Sequence, residues 1–412
     1  ELTFSRALAP PRWLCFRKPS PMPSFSPPPR RPRILQVVSH LGLGGAERVA
    51  LNIARALRDE FEFVFHAVRG IEPDAIGKAL AEELRAHGIP FHCGARVPMR
   101  FGGVLISSLQ LARVVKRARP DILHLHTEIP EAACATMLAF QPARRPRPLV
   151  RTIHNSRIWD FAPAFGHWCD RRLAHAHIAA VSRGALEAFH RLRRDSRAAA
   201  APGETTIFNG VVEKPLQTSS SQTERRPLRL LYGGRFEAEK GVDLFPEIFR
   251  HLGPISGSAE LVIQGHGRLE PLLRQLAANP PAGWRIEIRA AQPDFAQQLP
   301  HFDLVLIPSR YEGLCLVAIE AALAGVPIVA SDAPGLREAL PRDHPWCARA
   351  GDAADFAAVL DRAITEKPRW SSVAEATRHF ARARFSVEQM TEGYRTLYRS
   401  LAIASEKRSS QP

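Results

Sequence analysis

Residues 34–57 read ILQVVSHLGLGGAERVALNIARAL and already contain one complete structural unit. The apolar run at 34–38 predicts a buried strand, a glycine turn follows, and the rest has the apolar spacing of a helix. The same order of strand, glycine turn and helix returns at residues 230–249, LLYGGRFEAEKGVDLFPEIF. This internal echo predicts two Rossmann-like domains, one in each half of the chain.

Short apolar runs alternate with helix-like segments along both halves. We expect strands at 34–38, 61–68, 121–126, 149–154 and 177–181, and helices over 46–57, 105–118 and 182–191. In the second half we expect strands at 228–233, 261–264, 302–307 and 326–330, and a helix over 241–251. This alternation is typical of the α/β class, in which helices cover both faces of a parallel sheet. Because ligands bind beyond the carboxyl ends of such strands, two facing domains would share one interdomain cleft.

Composition divides the chain into a tail, two domains and a linker. Residues 1–33 are rich in proline and arginine, show no apolar periodicity and are predicted to be disordered. A polar linker at 217–222 separates an N-terminal domain, residues 34–215, from a C-terminal domain, residues 225–384. Because Glu1 is no initiator, we expect either that the sequence is a fragment or that translation starts at Met22.

The composition excludes several classes of protein. The 412 residues are 45% hydrophobic and 24% charged, as in ordinary globular proteins, which excludes disorder of the whole chain. No segment offers the roughly 18 uninterrupted apolar residues of a membrane-spanning helix, and none resembles a secretory signal. Six cysteines without a C-x-x-C pair match neither a disulfide framework nor a structural zinc site. We therefore expect a cytoplasmic protein.

The net charge of +15 suggests nucleic acid or an anionic membrane as a partner. However, the tail holds seven basic residues against Glu1, so +6 of this charge lies there. The remaining basic residues are dispersed, and they are not interleaved with aromatic residues as in nucleic-acid-binding modules. We therefore expect no nucleic-acid partner.

The segment YGGRFEAEKG, residues 232–241, is the strongest chemical motif. A predicted strand leads into two glycines, and Arg235 and Lys240 then stand on either side of a predicted helix N-terminus. Free backbone amides, a helix dipole and two cations suit a diphosphate. The alternative is a solvated turn with two surface charges, since glycine-rich loops are weak motifs.

The segment PSRYEGLCLVAIE, residues 308–320, carries two glutamates eight positions apart. Glu312 lies in a loop after a predicted strand, and Glu320 lies inside an apolar helix. A carboxylate among apolar side chains is costly unless it has a partner, and ribose hydroxyls would provide one. The alternative is a structural Glu320 that bonds to a neighbouring backbone group or arginine.

Together these two motifs resemble the retaining family-4 glycosyltransferases, which have the GT-B fold. The resemblance runs from about Arg33 to Ala402. It implies that Gly234, Arg235 and Lys240 bind the diphosphate of a nucleotide-sugar donor. It also implies a last helix, 385–402, that crosses back to the N-terminal domain.

The second motif carries further implied roles. Glu312 would contact the donor sugar and Glu320 the ribose. The loop after Glu312 would turn its backbone amides toward the sugar; its residues are Gly313, Leu314, Cys315 and Leu316. Cys315 stands where the family usually has glycine, and Ala333-Pro334-Gly335 stands where a Gly-Gly pair is common, so the identity of the sugar stays open.

Two N-terminal segments fit the same resemblance. Gly44 and Gly45 belong to a glycine loop whose backbone amides would approach phosphate or acceptor. Glu47 stands where a dinucleotide fingerprint needs glycine, which argues against an oxidoreductase. His154 ends a predicted strand that faces the cleft and resembles the histidine that lies against the donor sugar. A purely structural histidine is the alternative.

Two histidine pairs invite a metal interpretation. His124 and His126 lie on one face of a strand, and His175 and His177 repeat the spacing. No carboxylate or cysteine pattern completes a ligand set, and no D-x-D follows a strand. We expect no metal site, and Arg235 and Lys240 would replace the metal.

The sequence thus predicts a retaining, metal-independent glycosyltransferase without a cofactor, with His154, Arg235, Lys240 and Glu312 as catalytic residues. Its partners would be a nucleotide sugar and a carbohydrate or lipid-linked acceptor, as in bacterial polysaccharide, lipopolysaccharide or glycolipid synthesis.

Peripheral contact with the anionic inner membrane would use a basic and apolar surface of Arg96, Arg100, Phe101, Val104, Leu105 and Arg113; a solvated helix face is the alternative. A sugar-nucleotide epimerase or hydrolase of the same fold, and a basic binding module, stay open as other functions.

Overall fold

The computed structural model describes residues 30–98, 102–140, 148–213, 226–252, 257–293 and 295–409, with side chains up to residue 404. The predicted linker at 217–222 and residues 1–29 of the predicted tail lie outside this range. Arg33, expected in the tail, instead opens the first strand, where its Nε donates to Glu62 at 2.8 Å. The prediction of the tail therefore extended one residue too far.

Two parallel sheets form the scaffold within residues 32–412, which confirms the predicted α/β fold. The N-terminal sheet has seven strands in the order β3-β2-β1-β4-β5-β6-β7. The two central strands β4 and β5 are buried along their whole length, because helices cover both faces of the sheet. The strands are β1 (Arg33–Val38), β2 (Glu62–Ala67), β3 (Phe91–Cys93), β4 (Ile122–His126), β5 (Leu149–Ile153), β6 (His177–Ala180) and β7 (Glu204–Thr206).

Six α-helices lie in the described residues between 30 and 213, and α1 follows the quoted glycine turn as predicted. They are α1 (Gly45–Leu57), α2 (Ala75–Ala86), α3 (Val104–Ala118), α4 (Glu128–Phe140), α5 (Pro163–Arg172) and α6 (Arg183–Ser196).

The C-terminal sheet has six strands in the order β10-β9-β8-β11-β12-β13. They are β8 (Leu228–Arg235), β9 (Ala259–His266), β10 (Trp284–Arg289), β11 (Leu304–Ile307), β12 (Ile328–Ser331) and β13 (Cys347–Ala348). The helices are α7 (Phe245–His251), α8 (Glu270–Ala278), α9 (Phe295–Gln298), α10 (Leu316–Leu323), α11 (Ala353–Thr365), α12 (Trp370–Arg384) and α13 (Val387–Ser409).

The helix predicted over 241–251 is shorter in the structure. Gly241 has a left-handed φ of 70° between two short 3₁₀ turns, and α7 begins only at Phe245. Pro246 explains the late start, because a proline has no N–H to donate in a helix interior but is tolerated in the first turn. Arg235 and Lys240 therefore do not flank an α-helix N-terminus, and that part of the prediction was wrong.

Helix α6 begins at a contact between the two domains. Its own N-cap, Ser182, accepts from the backbone N–H of Ala185 at 3.0 Å. Glu338 of the C-terminal domain accepts from the backbone N–H groups of Arg183 at 3.0 Å and Gly184 at 2.8 Å. A carboxylate is favourable there because a helix N-terminus carries partial positive charge.

Helix α13 packs against the N-terminal sheet through two buried tyrosines. The hydroxyl of Tyr398 lies 3.0 Å from Nε2 of Gln36 and 2.7 Å from Nδ1 of His124. The hydroxyl of Tyr394 lies 3.2 Å from that of Thr152, which is also 2.6 Å from Nε2 of His124. The last helix therefore satisfies polar groups on β1, β4 and β5 that no solvent reaches.

We predict that Tyr398→Phe lowers the free energy of unfolding by about 2 kcal/mol or more, because it leaves Nε2 of Gln36 and Nδ1 of His124 buried without a partner. Urea denaturation measures this change. Tyr394→Phe is the matched control, because it removes only the longer bond to Thr152, and we expect a loss of about 1 kcal/mol. Equal losses in the two variants would contradict the assignment.

His66, on β2 beside His92 of β3, is 1% exposed. Burial lowers its pKa to about 4, from an ordinary value of 6.5. Between these two pH values the imidazole of His66 is protonated in the unfolded chain but neutral in the folded protein. The free energy of unfolding therefore falls as the pH falls.

We predict that the protein loses stability as the pH falls from about 6.5 to about 4, and that His66→Phe removes up to about 3 kcal/mol of this loss. Urea midpoints at pH 7 and pH 5 for both proteins measure the effect. His87→Phe, at a partly exposed position after α2, is the control and should keep the wild-type pH dependence. An unchanged pH dependence in His66→Phe would show that other groups cause the loss.

Candidate active site

The two sheets turn their carboxyl ends toward one cleft with a volume of about 920 Å³. Residues of both domains line it, as expected for facing parallel sheets. Every residue that the sequence nominates for the site lies along this cleft: Gly44, Gly45, His154, Gly234, Arg235, Lys240, Glu312, Gly313, Leu314, Cys315, Leu316 and Glu320.

Lys240 and Glu312 form an ion pair inside the cleft. Nζ of Lys240 lies 2.7 Å from each carboxylate oxygen of Glu312. Ser309 donates to one of these oxygens at 2.8 Å, and the Glu312 side chain is only 7% exposed. The sequence nominated both residues but did not predict that they contact each other.

Arg235 stands at the end of β8 and pairs with Glu239. Its charge also reaches Glu47 of the N-terminal domain, a buried side chain. Burial raises the pKa of Glu47, while the charges of His40 and Arg235 oppose this rise. The charge of Arg235 therefore influences an acidic residue of the opposite domain, whereas the sequence analysis used Glu47 only to exclude a dinucleotide site.

Side chains of both domains pack against the glycine loop of Gly44 and Gly45. A Cβ on Gly44 would lie 2.2 Å from the Glu47 carboxylate, and one on Gly45 would lie 3.2 Å from the side chain of Leu316. The loop thus lies between α1 and the start of α10.

Gly313 lies in close contact with the N-terminal domain. A Cβ at this position would lie 1.8 Å from the carbonyl oxygen of His154. Only glycine fits there, because any side chain would overlap the backbone of β5's end. The backbone of Gly313, next to Glu312 in sequence, therefore lies against the backbone of His154.

His154 belongs to the buried polar network described above. Its Nε2 lies 2.9 Å from Nδ1 of His126, and Nε2 of His126 lies 2.6 Å from the side-chain oxygen of Gln36. An amide oxygen only accepts, so Nε2 of His126 carries the proton and its Nδ1 accepts one from His154. Burial lowers the pKa of His154 to about 3, so the ring is neutral and its Nδ1 is a hydrogen-bond acceptor.

Helix α10 and its N-cap contain two more of the residues that are predicted to bind the nucleotide-sugar donor. Cys315 is its N-cap residue and is 4% exposed, and Glu320 is half-buried on the cleft side of the helix. Burial raises the pKa of the Cys315 thiol well above its ordinary range, so the residue behaves as a small apolar side chain.

His124 and His126 form hydrogen bonds within the protein. Both ring nitrogens of His124 are engaged, by Tyr398 and by Thr152. Within the described residues no three His, Cys, Asp or Glu side chains are grouped as metal ligands.

Two features of the cleft were missed from sequence. Glu128, directly after β4, lines the cleft, and burial raises its pKa to about 7. The guanidinium of Arg157 lies 4.7 Å from the ring centre of Tyr311 across the cleft. The position of Glu128 at a strand end was a usable signal, whereas the Arg157 contact depends on how the domains meet.

Comparison with known proteins agrees with this geometry. The family model for glycosyl transferases group 1 matches residues 227–366, and the model for glycosyltransferase family 4 matches residues 43–201. The chain is 24% identical over 363 residues to the N-acetyl-alpha-D-glucosaminyl L-malate synthase of Bacillus anthracis, covering 80% of this chain and 93% of that protein.

Two further relatives extend the comparison. The lipopolysaccharide core biosynthesis mannosyltransferase LpsB of Rhizobium meliloti is 25% identical over 213 residues, which is 48% of this chain and 61% of that protein. The crystal structure of Anabaena HepE in complex with UDP-glucose superimposes with a TM-score of 0.73 at 19% identity, covering 89% of this chain and 99% of that one.

The two family models together span most of both domains, on either side of the cleft that holds the nominated residues. The resemblance first drawn from the two motifs is thereby confirmed. The chain belongs to the family-4, group 1 glycosyltransferases and has their GT-B fold.

Proposed function

We propose that the protein transfers a sugar from a nucleoside diphosphate sugar to an acceptor hydroxyl with retention of the anomeric configuration. The observation that supports this most directly is the ion pair of Lys240 and Glu312 in the cleft that His154 also lines, because one cleft then holds a cation, a carboxylate and a neutral hydrogen-bond acceptor.

In this proposal the cations stabilise the leaving group. Charge builds on the diphosphate as the sugar departs, and preformed cations aimed at it lower the barrier. Lys240 and Arg235 fill this role, while Glu312, held by Lys240 and Ser309, orients the sugar. The Nδ1 of His154 accepts from a sugar hydroxyl, and Glu320 binds the ribose. The acceptor attacks from the face of the departing phosphate, which takes its proton.

A UDP-sugar is the first donor to test, because the HepE structure contains UDP-glucose. A thermal-shift screen of UDP-, GDP- and ADP-sugars identifies the donor, since a ligand at 100 times its Kd stabilises a protein by about 2.7 kcal/mol.

We predict that Arg235→Ala lowers kcat by about 100- to 1000-fold, and that Glu320→Ala weakens donor binding, both without unfolding the protein. The side chain of Arg235 is 45% exposed, so its loss costs little packing. Initial rates with the identified donor, together with melting temperatures, measure both effects.

Arg268→Ala is the matched control for Arg235→Ala. Arg268 also lines the cleft and pairs with Glu237, but its side chain is 85% exposed. We expect its rate to stay within about twofold of wild type. Full activity in Arg235→Ala would remove this arginine from the mechanism.

Product analysis separates this proposal from the epimerase and hydrolase alternatives. A transferase requires an acceptor, whereas the alternatives convert the nucleotide sugar alone. NMR of the product anomer tests retention. Undiminished rates in EDTA test our proposal that neither a metal nor a cofactor takes part.

We also propose a role in bacterial envelope polysaccharide, lipopolysaccharide or glycolipid synthesis, to which the name of LpsB points, with peripheral membrane contact. In the described parts of the chain, no helix combines the length and apolarity needed to span a bilayer. Helix α3 exposes Leu105 by 48%, Ile106 by 38% and Leu109 by 44%, and Arg113 follows them. Arg100 and Phe101 of the nominated surface lie outside the described residues.

We predict that the double variant Leu105→Glu, Leu109→Glu sediments about tenfold less with vesicles of anionic lipid than wild type does, because two apolar contacts with the bilayer are lost. Ile403→Glu, on α13 and 54% exposed, is the control and should bind as wild type does. Equal sedimentation of the double variant would contradict membrane contact through α3.

A further inference from the structure

Five arginines line the cleft within the described residues, and four of them face a carboxylate. Arg69, on the N-terminal side, is the exception: its guanidinium has no acidic partner among the described residues. The four pairs are Arg48 with Glu83, Arg157 with Asp160, Arg235 with Glu239 and Arg268 with Glu237.

Arg69 stands at the point of the N-terminal sheet where ligands bind in folds of this type. The strand order reverses between β1 and β4, and open parallel sheets bind ligands beyond such a switch point. The backbone N–H of Arg69 donates to the carbonyl of Ser39, which follows β1, at 2.8 Å. The Ser39 hydroxyl lies 2.6 Å from that of Thr127, which follows β4.

The backbone is strained at the same place. Thr127 has a φ of 74°, a left-handed conformation that a β-branched residue rarely adopts. Such strain persists only where surrounding contacts impose it, and it is concentrated at functional sites. The edge formed by Ser39, Arg69 and Thr127 is therefore a preformed wall of the cleft.

Two polar atoms in this wall are buried without a hydrogen-bond partner among the described residues: Nε of Arg69 and Nδ1 of His40. A buried unpaired donor costs free energy, so native proteins nearly always supply a partner. Glu72, the nearest acidic lining residue in sequence, is already paired with Arg96. A ligand with anionic oxygens in the cleft would balance the charge of the Arg69 guanidinium.

We propose that Arg69 and His40 form an acceptor subsite for an anionic group, a carboxylate or a phosphate, close to the hydroxyl that receives the sugar. The inference rests on the proposed function, which places the donor against the C-terminal domain. Lys240 and Arg235 then serve the donor diphosphate, and among the described cleft arginines Arg69, on the N-terminal side, is the one without a carboxylate partner.

The test is a calorimetric titration of the full-length protein saturated with UDP, so that the donor subsite is filled. Inorganic phosphate and malonate are titrated separately, with glycerol as a neutral control. We expect saturable binding of at least one anion and none of glycerol, and the stronger anion tells phosphate from carboxylate. Arg69→Gln should weaken that binding by about 10- to 100-fold, as expected for loss of a charged hydrogen bond.

Two further variants test whether the loss of anion binding is specific to the Arg69 guanidinium. Arg48→Gln, which removes a cleft arginine already paired with Glu83, should bind the anion as wild type does. Arg69→Lys keeps the charge without the planar fork and should bind with intermediate strength. Melting temperatures of all three variants confirm that they fold.

The proposal is overturned if neither anion binds the UDP-loaded wild type, or if Arg69→Gln binds the anion as well as wild type does. A tenfold loss of UDP affinity in Arg69→Gln would also overturn it, because Arg69 would then serve the donor. Failure of UDP to bind the wild type is a separate result, and contradicts the proposed donor site itself.

Discussion

A buried chain of hydrogen bonds runs from the last helix to the cleft, and the arrangement of the site depends on it. Tyr398 contacts Gln36 and His124, Gln36 contacts His126, and His126 contacts His154. The amide of Gln36 has one donating and one accepting end, so its orientation sets the direction of the bonds on both sides. Residues more than two hundred positions apart thereby determine which nitrogen of His154 can accept.

Much of the fold follows from local sequence, because buried parallel strands need apolar runs and their connections need helices. The short strand β3 and the two-residue β13 carry too little apolar pattern to be recognised. Helix α7 was predicted too long because the apolar period continues through Gly241, whereas Pro246 is tolerated only in the first turn and the helix begins at Phe245. The apolar periodicity of the sequence predicts neither the short strands nor the effect of Pro246.

The site was predicted in its residues but not in its contacts. Two recognisable motifs contain Arg235, Lys240, Glu312 and Glu320, and they lie at the carboxyl ends of β8 and β11, beside the cleft. The Lys240–Glu312 pair, the approach of Gly313 to His154 and the unpaired guanidinium of Arg69 all depend on how distant segments meet. The strong net charge did not help to predict the site either, because carboxylates of the protein neutralise most of the described basic side chains that line the cleft.

The carboxylate of Glu338 at the start of α6 joins the domains through two backbone donors. Any rotation that widens the cleft at α6 must pull this carboxylate from the helix end and hydrate both groups. Substrate entry through such a motion would therefore require breaking this charged interaction, which lies far from the reacting atoms. Without substrate, the interaction would favour the conformation with the narrower cleft.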